Sequence, residues 1–374
     1  MSTTVVTTPS GAIDAWPSFE LDPQLAATAP PEARGLERDE VRLLVATPSG
    51  TRHARFCDLP DQLTAGDLLV VNTSSTLPAA VDVRRADGTL AVVHVAGPHP
   101  TDRDRWLVEL RRPDGRGPIA DARLGEVVTL PAGGRLQLST PFPPHQADEP
   151  NPASSNGSTE RTPRRRVWTA TTSPPSGLEE ELRRSGRPIA YGHTDERWPL
   201  RFYQTVFGRV PGSAEMPSAS RPFSPATVLE LVTAGVDIAP IILHAGLSSL
   251  ERGEPPLPER FEVPAATARR IEQTRDAGGR IVAAGTSVVR AVESVVALDG
   301  SVGAAAGWTD LLLGPDRPAR VVDGLLTGWH EPDASHLELL EAVAGRALVR
   351  SAYQTALLDG YRWHEFGDSC LLLP

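Results

Sequence analysis

The pattern of apolar residues changes between the two halves of the chain, and this change limits the folds that it can adopt. Up to about residue 140, short runs rich in Leu and β-branched residues are separated by turns such as the Ala-Asp-Gly at 86–88. Strands at such close spacing predict a small barrel or sandwich. From residue 224 onwards helices and strands alternate, which is typical of a parallel sheet covered by helices. The predicted helices of this half span residues 224–234, 264–277, 287–297, 337–344 and 347–358, and the predicted strands span 236–243, 280–284, 311–313 and 370–373.

The segment between the two patterns contains the densest group of candidate binding residues. Residues 203–223, YQTVFGRVPGSAEMPSASRPF, contain glycines and prolines that break both helical and strand periodicity. Ser224 followed by Pro225 is a typical helix start. We therefore predict an ordered irregular loop that leads to a helix N-terminus, a common way to build a ligand pocket. By contrast, residues 142–166 are rich in Pro, Ser and Asn without periodicity, and we interpret them as a disordered loop.

Composition excludes several classes of enzyme. All 37 basic residues are arginine, since the chain contains no lysine. Pyridoxal phosphate enzymes, Schiff-base enzymes, P-loop NTPases and protein kinases all need a lysine amine and are therefore excluded. The net charge of -10 predicts no general affinity for polyanions, so that any nucleic acid must bind at a local arginine patch.

Cysteine usage and hydropathy predict the compartment. Cys57 and Cys370 form neither a disulfide framework nor a metal-ligand pattern, so we expect a reducing compartment and no metal. The N-terminus has no basic region followed by an apolar core, and no run approaches the roughly 20 apolar residues of a membrane helix. These features favour a cytoplasmic, monomeric protein without membrane contact.

Four further positions are candidates for chemistry, each with a structural alternative. The turn 285–287 precedes a helix, so its amides and hydroxyls could bind an anion or simply cap the helix. Arg290 and Glu293 share one face of that helix and could serve a site or form a surface ion pair. His244 follows an apolar strand at the edge where α/β sheets bind ligands, but it could be structural. His330 lies in an irregular loop beside Trp329, which could pack on a planar ligand or anchor the loop.

Taken together, these segments resemble the S-adenosylmethionine:tRNA ribosyltransferase-isomerase family of the queuosine pathway. The resemblance covers most of the chain, and its blocks occur in the order found in that family. They are DLP at 58–60, GDLLVVN at 66–72, PA at 78–79, YQTVF at 203–207, PG at 211–212, LHAGL at 243–247, GTS at 285–287 with Arg290 and Glu293, GWTD at 307–310, VD at 322–323, LLT at 325–327, His330 with Pro332, YR at 361–362 and GD at 367–368.

The resemblance implies a fold and a reaction. The expected fold is a discontinuous α/β catalytic domain with a mostly parallel sheet, of residues 1–72 and 170–374, interrupted by a small β-barrel-like domain at 73–169. The expected reaction transfers and isomerises the ribosyl group of the co-substrate S-adenosylmethionine. Its acceptor is 7-aminomethyl-7-deazaguanine at the wobble position of a tRNA, and its products are epoxyqueuosine, adenine and methionine.

The reaction begins with removal of a proton beside the sulfonium, which requires a general base. The resemblance makes His244 and His330 the candidate bases. Asp323 or Asp368 would orient a base or bind the substrate amine, although Asp368 could merely cap a turn. The turn 285–287 with Arg290 would bind the methionine carboxylate. The expected substrate-binding residues are Tyr203, Gln204, Ser218, Gly285, Thr286, Ser287, Arg290, Thr327 and Arg362.

Several polar positions differ from the pattern of the family. Ser75 and Ala80 occupy two arginine positions, Pro222 a histidine position and Asp333 a lysine position. Because phosphate contacts rely on cations, these changes leave other functions open. One is a divergent paralogue that binds S-adenosylmethionine or a related nucleoside but uses a smaller acceptor. Another is a binding protein without catalysis.

Overall fold

The computed structural model describes residues 19, 21–114, 117–143, 166–174, 177–194, 196–248, 256–331 and 336–374. Residues 144–165 of the loop predicted to be disordered therefore lie outside the described residues. The strands are β1 (Arg42–Thr47), β2 (Gly50–Arg55), β3 (Leu68–Asn72), β4 (Ser74–Thr76), β5 (Ala80–Arg84), β6 (Leu90–Pro98), β7 (Trp106–Arg111), β8 (Val127–Thr129), β9 (Arg135–Pro141), β10 (Val167–Ser173), β11 (Val210–Ser213), β12 (Asp237–Leu243), β13 (Glu259–Val263), β14 (Ile281–Ala284), β15 (Ala305–Thr309), β16 (Gly324–Gly328) and β17 (Ser369–Leu372). The α-helices are α1 (Gly177–Ser185), α2 (Pro225–Thr233), α3 (Ala265–Asp276), α4 (Thr286–Glu293), α5 (His336–Ala344) and α6 (Arg346–Leu358).

A nine-stranded mixed sheet forms the centre of the larger part of the molecule. Its order is β15-β13-β12-β3-β14-β16-β17-β1-β2. The neighbouring strands β12, β3, β14 and β16 run parallel, whereas the pairs at both edges are antiparallel. The carboxyl ends of the four parallel strands therefore lie side by side, which is where α/β sheets usually bind ligands.

Strand β3 shows why this sheet is covered on both faces. All its residues are buried, and their side chains alternate between two cores. Leu68 and Val70 pack in the core that contains α3, α4, α5 and α6, while Leu69 and Val71 pack in the core that contains α2. A continuous run of buried apolar residues is what a central strand between two helical layers requires.

A closed barrel with the strand order β10-β7-β6-β5-β8-β9 forms the second part. Its inward side chains, such as Val81, Val93 and Leu136, are buried, and Leu178 and Leu182 of α1 complete the same core. The α/β fold with a small barrel, predicted from the sequence, is thereby confirmed.

One predicted strand is wrong in position. Residues 311–313 form no strand, and β15 precedes them at Ala305–Thr309, where it pairs with β13. Leu311 and Leu313 are buried whereas Leu312 is exposed. This irregular segment therefore has the alternating burial that is typical of a strand, although it pairs with no other strand in the described part of the chain. Among the residues that the structure describes, no helix combines the length and apolar character needed to cross a membrane.

Candidate active site

A cavity of about 1140 Å³ lies at the carboxyl ends of the parallel strands. Ala284 at the end of β14, Thr327 in β16 and Ala245 just after β12 all line it. The segment 214–219 and the segment 189–193 supply further walls. The volume exceeds the range of about 300–1,000 Å³ that is typical of a site for one small molecule.

The segment 203–223 forms one wall, as an ordered irregular loop. Its short strand β11 pairs in parallel with β4. Tyr203 and Ser218 line the cavity. The Tyr203 side chain is 2% exposed, and its hydroxyl has no hydrogen-bond partner among the described residues. Burial raises the pKa of this phenol, so it remains protonated near neutral pH.

The turn between β14 and α4 forms a second wall. Gly285 adopts a φ of 106°, and a Cβ there would lie 3.3 Å from the Cβ of Ala219, so glycine fits this position best. The amides of Thr286 and Ser287 have no hydrogen-bond acceptor among the described residues. Asn72 donates through Nδ2 to the Ser287 hydroxyl at 3.2 Å, which holds the turn against β3. Unpaired amides at a helix start can bind an anionic group.

Arg290 lines the same cavity but is already engaged with the protein. Its Nη1 donates to Glu259, Nε to the Leu311 carbonyl at 3.2 Å and Nη2 to the Thr309 carbonyl at 3.2 Å. Glu293 instead accepts from backbone amides of the segment 320–322. Both side chains are buried, so the surface ion pair considered from their spacing does not form, and Arg290 holds β15 and β13 against α4.

His330 and His336 form a stacked pair on the cavity wall. Their ring centroids lie 4.5 Å apart with an angle of 5° between the planes. His330 Nε2 lies 3.1 Å from the Thr327 hydroxyl. Burial, with smaller effects from His336 and His364, lowers the pKa of His330 well below its usual value, and burial with Arg290 lowers that of His336 to about 4. Both rings are therefore neutral near pH 7 and can accept protons.

A second stacked pair lines the cavity, and the sequence did not single it out. His193 and His364 stack with centroids 3.9 Å apart and planes at 14°. His193 Nε2 donates to a carboxylate oxygen of Glu365. Burial alone would lower the pKa of His193, but the hydrogen bond and charge of Glu365 raise it above the usual value. Burial and the neighbouring His193 lower the pKa of His364 to about 4.

The lining of the cavity is acidic. Four carboxylates, of Glu215, Glu259, Glu331 and Glu365, line it, whereas Arg290 is the only arginine among the described lining residues. Glu215, also missed from the sequence, accepts hydrogen bonds from Tyr191 and from the amide and hydroxyl of Ser248. A cavity of this kind favours a ligand that carries positive charge.

Two of the expected residues lie beside the cavity as structural supports. His244 Nδ1 lies 2.8 Å from the Ser74 hydroxyl, and a Cβ on Gly212 would lie 2.2 Å from that same nitrogen. Burial, with a smaller effect from Arg260, lowers the pKa of His244 to about 4. The Gln204 amide pairs with the backbone of Thr76. Neither side chain lines the cavity, so geometry gives no support to their roles as base and ligand contact.

Three others lie farther from the cavity lining. Asp323 precedes β16 at the amino end of the strands, where it accepts from the Ile281 amide at 2.8 Å. Asp368 accepts from Arg42 and from the Arg362 amide, and the Arg362 guanidinium donates to the Gln24 carbonyl at 2.6 Å. The structure thus gives Asp323 and Asp368 strand-joining and loop-closing contacts, and no contact with the cavity supports the expected roles of these three residues.

Known proteins show similarity along almost the whole chain. A family model described as "Queuosine biosynthesis protein" matches residues 17–372. An S-adenosylmethionine:tRNA ribosyltransferase-isomerase from Moorella thermoacetica is 34% identical over 95% of this chain and 98% of its own length. A protein of the same name from Synechococcus elongatus is 32% identical over 97% of this chain and 96% of its own length. A crystal structure of an S-adenosylmethionine tRNA ribosyltransferase from Thermotoga maritima has the same fold, with a TM-score of 0.50, 24% identity, and coverage of 95% of this chain and 99% of that chain.

Proposed function

The chain belongs to the queuosine biosynthesis protein family, whose members named above are ribosyltransferase-isomerases, and from this premise we propose its substrates. We infer that it transfers the ribosyl group of S-adenosylmethionine to 7-aminomethyl-7-deazaguanine at the wobble position of a tRNA and isomerises this group. The products are then epoxyqueuosine in the tRNA, adenine and methionine. The observation that carries this proposal is the size and charge of the cavity.

The cavity volume of about 1140 Å³ gives room for a sulfonium nucleoside together with a modified base. Both partners bring positive charge, as the sulfonium and ammonium of S-adenosylmethionine and as the protonated aminomethyl group of the acceptor. Of the four lining carboxylates, Glu259 is paired with Arg290 and Glu365 with His193, so the negative charge left for such ligands comes from Glu331 and from Glu215, whose pKa is raised by burial. A site for a polyanion would need the opposite balance of charge.

The methionine end of S-adenosylmethionine also carries a carboxylate, which must be bound inside this acidic cavity. The free amides of Thr286 and Ser287 at the start of α4 are suited to it. The nitrogens of Arg290 already donate to Glu259 and to two carbonyls. In this proposal the turn 285–287 therefore contributes more than Arg290 to binding the methionine carboxylate.

His330 is the base that this proposal uses. The proposal uses the neutral tautomer in which Nε2, 3.1 Å from the Thr327 hydroxyl, carries the hydrogen and Nδ1 carries the lone pair. Nδ1 has no hydrogen-bond partner among the described residues, and it can therefore accept the proton from the carbon beside the sulfonium. His244 is less suitable because its Nδ1 is held by Ser74 behind Gly212.

A smaller acceptor is the second candidate, and one observation favours it. Among the described lining residues, no arginine is left to contact a phosphate, because Arg290 is held by protein oxygens. Contacts with the tRNA backbone must then come from residues outside the cavity. A nucleoside-sized amine would need no such contacts.

One incubation separates the two candidates. The protein is mixed with S-adenosylmethionine and a tRNA that carries 7-aminomethyl-7-deazaguanine, and adenine release is followed by chromatography. The matched control is the same tRNA with guanine at the wobble position. Adenine that appears only with the modified tRNA supports the first candidate, whereas tight binding of S-adenosylmethionine without tRNA-dependent adenine release contradicts it and supports the second.

A further inference from the structure

A cluster of titratable side chains in the cavity has no role in the function proposed above. It consists of His193, His364 and Glu365, whose ligand atoms all lie within 4.8 Å of one another. The three side chains are 17%, 14% and 21% exposed, respectively. His364 adopts a φ of 73°, a left-handed conformation that is uncommon for residues other than glycine. Such outliers tend to occur at functional sites.

The ring geometry argues against a metal ion as the occupant of this cluster. Two histidines share a metal when their in-plane lone pairs converge on one point. The rings of His193 and His364 instead lie nearly parallel, at 14°, with centroids 3.9 Å apart. Their lone pairs therefore run in separate planes. In addition, the Nε2 of His193 is already hydrogen-bonded to Glu365. The cluster is therefore better suited to hold a proton than a metal ion.

We propose that His193 is the general acid that protonates the purine as it leaves the ribosyl group. This inference rests on the proposed function. When the bond between the sugar carbon and the purine nitrogen breaks, its electron pair remains on the purine, and a lone pair of the sugar ring oxygen forms a C=O bond to that carbon in its place. The proton on His193 Nδ1 passes to the purine, and His193 becomes neutral. The proton that His330 takes from the carbon beside the sulfonium balances this transfer.

The contacts of His193 leave one nitrogen of this cavity-lining ring without a partner among the described residues. Its Nε2 is fixed by Glu365, and its Nδ1 has no hydrogen-bond partner among the described residues. A carboxylate on one ring nitrogen orients an imidazole and leaves the other nitrogen free for chemistry. Glu365 is thus the positioning residue. The neighbouring charges support this arrangement, because Glu365 and Glu331 favour the charged ring, while burial opposes it.

The proposed acid and base belong to one continuous wall of the cavity. Glu331 directly follows His330, and its Oε1 lies 3.9 Å from the Nε2 of His364. His364 in turn stacks on His193. His330 can therefore remove a proton from the sugar of the nucleoside, and His193 can donate one to its purine, from the same wall of the cavity.

The test measures purine release from two co-substrates by wild type and His193→Gln. One is S-adenosylmethionine, and the other is an analogue that carries 8-azaadenine, whose anion is a weaker base and needs less protonation. General acid catalysis contributes about 10²–10⁴-fold, so we expect a loss of that order in kcat with S-adenosylmethionine and a loss below about tenfold with the analogue. His53→Gln is the matched control, because His53 is exposed and lies outside the cavity lining, and both rates should remain unchanged.

Each outcome decides one question. Equal losses with both co-substrates would overturn the role of His193 as an acid, and so would an unchanged rate. If wild type releases neither purine in the presence of the modified tRNA, the proposed function itself fails. Binding of S-adenosylmethionine by His193→Gln, measured by calorimetry, shows that the variant is folded. Stoichiometric Zn²⁺ that survives dialysis against a chelator and is lost in His193→Gln would also overturn the proposal.

Discussion

The two stacked histidine pairs of the cavity have similar geometry and different pKa shifts. His330 and His336 stack at 4.5 Å, and His193 and His364 stack at 3.9 Å. In the first pair, the hydrogen-bond partner is the hydroxyl of Thr327, and burial lowers both pKa values. In the second pair, Glu365 raises the pKa of one ring while the other stays low. The neighbouring carboxylate, and not the stacking, therefore decides which ring has the raised pKa.

This difference matters because acid and base roles follow from environments that separate the pKa values of similar groups. The pair without a carboxylate is suited to accept a proton, and the pair with Glu365 is suited to donate one. Exchanging or removing the partners of each pair should therefore affect opposite limbs of the pH profile.

The largest effect is expected for His330→Gln, which removes the proposed base. Turnover measured as adenine release should fall by about 10²–10⁴-fold, the usual contribution of a general base. The Kd for S-adenosylmethionine, measured by calorimetry, should change little, because the amides of the turn 285–287 remain. Wild-type turnover in this variant would contradict the assignment of the base, and His53→Gln again serves as the exposed control.

A smaller effect is expected for Glu365→Gln, which keeps a hydrogen-bond acceptor but removes the charge. Without this carboxylate, burial dominates and the pKa of His193 falls. The acid is active only when protonated, so activity should be lost at lower pH than in wild type, with about a tenfold loss on the alkaline side for each unit of pKa shift. The measurement is the pH dependence of kcat. An alkaline limb at the wild-type position would separate Glu365 from the proton donor.

The last effect concerns stability in acid and not turnover. The pKa of His336 is about 4 in the folded protein and about 6.5 when unfolded. The unfolded chain therefore binds more protons below about pH 6.5, and the stability present above that pH is lost as the pH falls towards the folded pKa. His336→Gln removes this proton uptake and should lose less free energy of unfolding between pH 7 and pH 4, by about 3 kcal/mol. Parallel urea-unfolding curves for both proteins over this range would contradict the neutral state of the ring.

The sequence predicted the loops around the cavity better than the side chains that fill it. The breakers in 203–223 predict an irregular loop, and Tyr203 and Ser218 from it line the cavity. The turn 285–287 follows a strand and starts a helix, so its position at the sheet edge follows from the chain order alone. Local pattern carries this information because turn and cap residues act on their own backbone.

Pairings between residues that are distant in the sequence could not be predicted from local sequence pattern. His193 and Glu365 are 172 residues apart, and Arg290 pairs with Glu259 from another element. The resemblance selected Asp368 from the motif GD at 367–368, but Asp368 pairs with Arg42, whereas His364 and Glu365, which no motif included, line the cavity. Whether a residue of this segment lines the cavity or pairs within the protein depends on the direction of its side chain, which the sequence pattern does not give.

The sequence by itself determined the family, the fold class and the order of the elements. These depend on apolar periodicity, turn residues and ordered motifs, all of which are local along the chain. The tertiary structure alone decided in which direction the pKa of each histidine shifts and which carboxylates lie beside the histidines. Protonation depends on burial and on charges within a few ångströms, and the folded chain brings these together from segments that the sequence leaves far apart.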